Sequence, residues 1–376
     1  MSNYTERINA DLYNIWGKYD TSEDEYDEMI DYLNSSDFRT FGDGLTDLIN
    51  TRVREGESTL ECLKRCFREN DIDIKELGSP NTPKNWLNGG ERPKKGEDSR
   101  RKMFVLAFAL GLNSDETAYL FQKIYLDRAF NPRNYKELIY AYCIENNLPL
   151  SKAEEMISKV AIESSNAADK TIYTKMIASI IEVSKSESDI VDYINSHPHN
   201  FSINNLAAKE TVLMYIDRAK NMIEREITGY NLNTENKDID SVNFMYETII
   251  GQSVTTAKGT GKSLFKNMDL PKEISLSFPT PQIFSKLSKN PTYDELRKLT
   301  VLLFSYCFWC KIQLEDDYAD IDDYTEQLND LLTESNLPEL YPGNPFDWLF
   351  CFCTMADNPL DTFRAILSEV LDNKEE

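Results

Sequence analysis

The sequence predicts an all-α protein, and three observations support that fold class. Apolar side chains recur at helical intervals; Leu60, Leu63, Cys66 and Phe67, for instance, fall on one helical stripe. The chain of 376 residues has only 14 Gly and 14 Pro, which argues against a turn-rich β fold. Segments of alternating polarity are few, and the best candidate strand, residues 274–278, is short. With 41% hydrophobic residues, the chain can form roughly two or three packed cores, as a multi-helix bundle or a helical-repeat-like array.

Local signals place the individual helices. A basic first turn followed by an apolar run predicts a helix over 99–112 that ends at Gly111. Pro149 separates two helices, of which the second begins with a capping box between Ser151 and Glu154. The predicted helices around and after Pro149 cover 135–147, 151–161, about 170–186, 187–196, 206–228, 239–250, 294–314 and 345–370.

Breaks in composition divide the chain into five segments. The clearest break is 251–291, a Gly- and Pro-containing loop or hinge that includes a run of small residues. The others are an N-terminal helical segment (1–56), a compact helical module (57–125), a central helical region (126–250) and a C-terminal helical region (292–376).

Charge and targeting signals predict a soluble cytoplasmic protein that does not engage membranes. The formal net charge is −23 and the pI is about 4.6, so the chain as a whole repels phosphate and anionic lipid surfaces. The N-terminal residues lack the basic start and apolar run of a secretory signal. The longest apolar stretch, residues 299–310, is shorter than the roughly 20 residues that span a bilayer. Any DNA-binding function therefore requires a local basic face.

The seven cysteines favour a reducing compartment. Their number is odd and they lie in helical or aromatic patterns, which makes a disulfide framework improbable. Cys307, Cys310, Cys351 and Cys353 have spacings that zinc would accept, but their neighbours are large apolar side chains. Buried structural thiols are the preferred interpretation, and no metal or other cofactor is predicted.

One stretch, residues 58–121, resembles a known family. It contains Trp86, a glycine pair at 89–90, Pro93 and an apolar helix that ends Ala-Leu-Gly-Leu at 112, followed by a helix opening at Ser114. In this order these elements are similar to the helix-turn-helix of Cro/C1-type (XRE-like) repressors, over about a sixth of the chain. The whole layout also resembles uncharacterised helical proteins of Gram-positive mobile elements and gut bacteria.

The resemblance implies a recognition helix that ends near Trp86 and contacts double-stranded DNA. Its polar face would reach base edges in the major groove, and nearby cations would contact phosphates. Residues 79–102 hold seven Lys and Arg against three Asp and Glu. The predicted DNA-binding residues are Asn81, Thr82, Lys84, Asn85, Arg92, Lys94, Lys95, Arg100, Arg101 and Lys102.

The segment between Phe67 and Trp86 departs from the family pattern. It is about four residues shorter than two helices and a turn usually need, and two prolines lie within Ser79–Pro83. Either the second helix is a single turn, or the fold is kept and DNA reading is lost. A further alternative is that the cations pair with the abundant carboxylates.

The remaining motifs are interpreted as structural. The segment 259–263, GTGKS, lacks the glycine that a phosphate-binding loop needs at Thr256, so a flexible loop is preferred. His197 and His199 flank a proline with no nucleophile or acidic group around them. The acidic runs 20–28 and 316–323 lack the spacing of a calcium loop. No enzyme is predicted.

The leading hypothesis is a DNA-associated transcriptional or mobile-element regulator. Its helical C-terminal region would dimerise or sense a partner, because one recognition helix covers only a half-site. The alternative is a non-enzymatic protein-interaction module, such as a defence or counter-defence component, that acts through an acidic helical surface.

Overall fold

The computed structural model consists of helices and their connections. It describes residues 33, 38, 40–89, 93, 96–161, 179–184, 186–201, 206–229, 241–251, 274, 278–287, 289, 291–315, 319–341 and 343–368. Within these residues every regular element is an α-, 3-10 or π-helix and none is a strand, which confirms the all-α prediction.

The chain forms two compact units. One comprises residues 39–205, hereafter the 39–205 unit, and the other comprises residues 1–38 and 206–376, hereafter the 206–376 unit. The predicted module 57–125 lies within the 39–205 unit, together with the first part of the predicted central region.

The 39–205 unit begins with two capped helices. Thr40 and Asp43 form a capping box at the start of α1 (Phe41–Asn50). Ser58 and Glu61 form another at the start of α2 (Thr59–Glu69). Of the predicted apolar stripe of α2, Leu63, Cys66 and Phe67 are buried and Leu60 is half-buried.

A short turn and a short helix follow α2. The turn is the 3-10 helix Ile74–Leu77, at the place where the family resemblance implies a second helix. It leads to α3 (Thr82–Leu87), whose first turn contains Pro83. The next helix, α4 (Glu97–Leu110), ends at Gly111, which has a left-handed φ of 59°, so the predicted stop is confirmed.

The rest of the 39–205 unit packs around α4. Helix α5 (Ser114–Tyr119) continues into a π-helical turn, Leu120–Ile124. The remaining helices are α6 (Tyr135–Glu145), α7 (Leu150–Ser158), α8 (Ile180–Val183) and α9 (Glu187–Ser196), with a 3-10 turn at Pro198–Asn200. One continuous apolar core joins α1 to α9.

The 206–376 unit has its own core. Its longest helices, α10 (Leu206–Gly229) and α13 (Tyr293–Glu315), pack along each other, and Trp309 is buried among Phe350 and Phe363. The other helices are α11 (Val242–Ile250), α12 (Pro281–Lys286), α14 (Ile321–Glu334), α15 (Pro345–Thr354) and α16 (Pro359–Ser368).

The structure corrects three local predictions. Of the candidate strand 274–278 the structure describes the two ends, and they do not support a strand: Ile274 is helical, and its carbonyl accepts a 3.0 Å hydrogen bond from the Phe278 amide, an i to i+4 spacing. Helix α7 begins at Leu150 after Pro149, so Ser151 lies inside the helix and does not cap it. The predicted helix 345–370 is two helices, with a break at 355–358.

Candidate nucleic-acid interface

Helix α3 is fixed by its last turn. The Trp86 side chain is 4% exposed and packs edge-on against Phe41, with ring centroids 5.5 Å apart. Gly42 of α1 lies so close that a Cβ at this position would be 2.5 Å from the Trp86 carbonyl oxygen. The backbones of α1 and α3 are therefore in direct contact, which sets the direction of α3.

The opposite side of α3 is polar and accessible. Asn81 and Lys84 are exposed, and Thr82 and Asn85 are half-exposed. The Thr82 hydroxyl accepts a 3.1 Å hydrogen bond from the Ser79 amide, so part of its capacity serves the turn before α3. Among the described residues no carboxylate lies within ion-pair distance of Lys84. These four residues have the accessibility that contact with base edges requires.

Arg100 corrects the predicted interface. Its side chain is 3% exposed and forms a bidentate pair with Glu137, both contacts 2.7 Å long. It also pairs with Asp127 at 3.0 Å and donates to the Arg128 carbonyl oxygen at 3.0 Å. Burial alone would lower the pKa of Arg100, but the two carboxylates outweigh that effect and raise it. The prediction that Arg100 contacts DNA is therefore wrong, because it is an interior structural cation.

Arg101 and Lys102 are both ion-paired but remain partly accessible. Arg101 bridges Glu76 of the 3-10 turn, at 2.8 Å, and Glu154 of α7, at 3.1 Å. Lys102 pairs with Asp98 on its own helix at 2.8 Å. The side chains of Arg101 and Lys102 are 38% and 25% exposed. The alternative that carboxylates pair with the predicted cations therefore describes both Arg101 and Lys102.

Three predicted cations, Arg92, Lys94 and Lys95, lie outside the described residues. Sequence reasoning missed three exposed cations on the preceding elements: Lys64 and Arg68 on α2, and Lys75 in the 3-10 turn. In the part of the chain that the structure describes, these three form no ion pair. The sequence carries no clear signal for this, since Glu61 lies three residues before Lys64, a spacing at which a carboxylate can pair with a lysine on a helix.

The charge of the whole chain is distributed very unevenly between the units. The 39–205 unit holds 23 Lys and Arg against 25 Asp and Glu, a formal charge of −2. The 206–376 unit therefore holds the remaining 18 against 39, a charge of −21. Most of the net negative charge therefore belongs to the 206–376 unit, and the unit that contains α3 is close to neutral.

The other candidate sites are structural or lie outside the described residues. All seven cysteines are buried free thiols, as predicted, and the described residues contain no group of three or more potential metal ligands. His197 stacks on Tyr193 with ring centroids 4.5 Å apart. Segments 259–263 and 20–28, and part of 316–323, lie outside the described residues. Within the described chain, no helix combines the length and apolarity that crossing a membrane requires.

Comparison with family models, curated proteins and solved structures finds no match to this chain. The resemblance to XRE-like repressors therefore stays a prediction.

Proposed function

We propose that the protein is a cytoplasmic DNA-associated regulator in which residues 57–125 act as a helix-turn-helix-like module. The observation that carries the proposal is the arrangement of α3. Its apolar side is anchored by the buried Trp86, and its polar side presents Asn81, Lys84 and Asn85 to solvent. Short amides and a cation on one exposed helix face are suited to base edges and phosphates of duplex DNA.

The electrostatics support the same proposal. Lys84 is exposed and has no ion-pair partner among the described residues, and the 39–205 unit contributes only −2 to the net charge of −23. Phosphate attraction acts over about 8 to 10 Å at physiological ionic strength, so the cations on α3 and its neighbouring elements are the ones that a bound phosphate would feel most strongly. The short α3, six residues long, limits direct base reading to a few positions.

Binding of labelled duplex DNA to the full chain tests this function. Fluorescence anisotropy between about 50 and 200 mM salt should show an affinity that falls linearly on a log–log plot, with a slope of roughly −0.9 for each phosphate contacted. Lys84→Gln should weaken binding and reduce the slope magnitude by about one.

Lys136→Gln is the matched control, since Lys136 is an exposed lysine on α6 and its loss changes the net charge equally. It should leave the slope unchanged. No binding by the wild-type chain at the lowest salt would refute DNA association.

A second function is favoured by the 206–376 unit. On α14, all five carboxylates are exposed and no Lys or Arg is present in its 14 residues. Four of them, Asp322, Glu326, Asp330 and Glu334, recur every four residues, a rise of about 6 Å per step. We infer as the alternative that this acidic surface of α14 binds a basic protein. The chain would then act as a non-enzymatic interaction module, such as a component of a defence or counter-defence system.

Competition separates the two functions. If α14 imitates a polyanion, the wild-type chain should displace labelled duplex from a basic DNA-binding protein. The quadruple neutral variant of Asp322, Glu326, Asp330 and Glu334 should not. Equal displacement by both chains would exclude α14 as the contact.

A further inference from the structure

Lys102 lies at the turn that leads into α3. Although Lys102 is on α4, its Nζ is 4.0 Å from the point where a side chain at Gly78 would begin. The Thr82 hydroxyl oxygen is 3.4 Å from the same point. The ammonium group and the turn therefore border one small space that exists because residue 78 has no side chain.

The turn itself presents hydroxyl groups to that space. Gly78 has a φ of +118°, a conformation that side-chain-bearing residues rarely adopt. The hydroxyl oxygens of Ser79 and Thr82 are 3.2 Å apart. Gly78 and Ser79 are exposed, so the space opens to solvent. Because one of these hydroxyls donates to the other, the ammonium and one hydroxyl proton remain as donors, and both groups are of the kind with which proteins commonly hold a DNA phosphate.

The Lys102 ammonium is paired with a carboxylate. Asp98 lies one helical turn before Lys102, with Oδ2 2.8 Å from Nζ. The Asp98 side chain is 84% exposed, so water competes for this contact. Pairs of this kind are weak, and a phosphate that also accepts a hydroxyl hydrogen bond can replace the carboxylate.

We propose that Lys102 and the Gly78–Thr82 turn bind one backbone phosphate of the DNA, and that Asp98 is the internal competitor which this phosphate displaces. The inference rests on the proposed DNA-binding function. It assigns Lys102 the role of positioning α3 on the duplex, and it assigns Asp98 the role of lowering affinity.

A double-mutant cycle on the full chain tests the exchange. Lys102→Gln should reduce the magnitude of the salt slope by about one and weaken binding about eight-fold at 0.1 M salt, the value expected for one lost phosphate contact. Lys102→Arg should keep the slope. Asp98→Asn should tighten binding about two-fold more than Asp192→Asn, which removes an exposed carboxylate of α9 and controls for net charge. In the Lys102→Gln background, Asp98→Asn should tighten DNA binding no more than Asp192→Asn does.

The outcomes distinguish this inference from the function on which it rests. If the wild-type chain does not bind duplex DNA at any salt, the proposed function fails and the inference fails with it. If the wild type binds but Lys102→Gln keeps its slope, the phosphate contact alone is refuted. If the gain from Asp98→Asn persists without Lys102, displacement of Asp98 is refuted. Thermal unfolding by circular dichroism shows that each variant compared remains folded.

Discussion

Replacing Arg100 by glutamine should damage the fold and not the DNA contact itself. The Arg100 guanidinium satisfies Glu137 through two 2.7 Å contacts and Asp127 through one at 3.0 Å. Glutamine is shorter and uncharged, so both buried carboxylates would lose their direct ion pair, and only the electrostatic influence of Arg128 would remain near them. Breaking a buried ion pair on one side costs about 3 to 5 kcal/mol, because the remaining charge is left uncompensated.

Urea denaturation measures this loss. With an m-value of about 2 kcal/mol/M, a loss of about 4 kcal/mol lowers the unfolding midpoint by about 2 M. Hydrogen-exchange mass spectrometry should locate the loss in the 39–205 unit, because all partners of Arg100 belong to it. A second replacement, Glu137→Gln, should recover part of the stability by removing one of the two stranded charges.

Lys84→Gln is the matched comparison, since it also removes one cation from the module but at an exposed position. It should change the free energy of unfolding by less than about 0.5 kcal/mol while weakening DNA binding. The reasoning is refuted if Arg100→Gln unfolds like the wild type and lowers the salt slope as Lys84→Gln does. That result would make Arg100 a phosphate contact after all.

Three further perturbations test other parts of the fold. Gly42→Ala places a Cβ 2.5 Å from the Trp86 carbonyl oxygen and should destabilise the chain by about 1 to 3 kcal/mol in urea denaturation; unchanged stability would contradict the close approach. Burial raises the pKa of Cys307 to about 12, so an aromatic disulfide reagent at pH 8 should label native thiols slowly and all seven in urea; rapid native labelling would show that they are accessible. The Arg65 hydrogen bond lowers the pKa of Glu57 from 4.5 to about 2, which adds stability above pH 4.5 that is lost as the pH falls towards 2. Glu57→Gln should therefore flatten the acid-unfolding curve in that range, and a curve identical to that of the wild type would contradict the pairing.

The sequence predicts well those features that depend on neighbouring residues. The prediction of a helix over 187–196 matches α9, because Ser186 and Asp189 cap it and apolar residues recur on one side. Gly111 ends α4 because glycine accepts the left-handed conformation. Both signals lie within one or two helical turns of the feature they determine.

Features that depend on contacts between residues far apart in the sequence could not be predicted from local patterns. Arg100 looks like the adjacent Arg101 in sequence, but its partner Glu137 is 37 residues away. Arg100 and Glu137 are both buried, whereas Arg101 is partly exposed, and only the folded structure shows this difference. A useful signal was present, since Glu137 immediately precedes a run of largely apolar residues, 138–144, and a carboxylate buried with that run needs a partner.

The contact of α1 with α3 was missed for a related reason. The sequence shows Thr40 and Asp43 at the spacing of a capping box, but it does not show which helix α1 meets. Gly42 is informative only once the structure brings the Trp86 carbonyl next to it.

This contact determines how much of the chain is needed to orient α3. A fragment cut to 58–121, the span with the family resemblance, would lack Phe41 and would expose the Trp86 indole to water. Its α3 would lose the neighbour against which its last turn rests. The smallest piece able to hold this helix in its native direction therefore starts before α1, at about residue 39, where the compact unit itself begins.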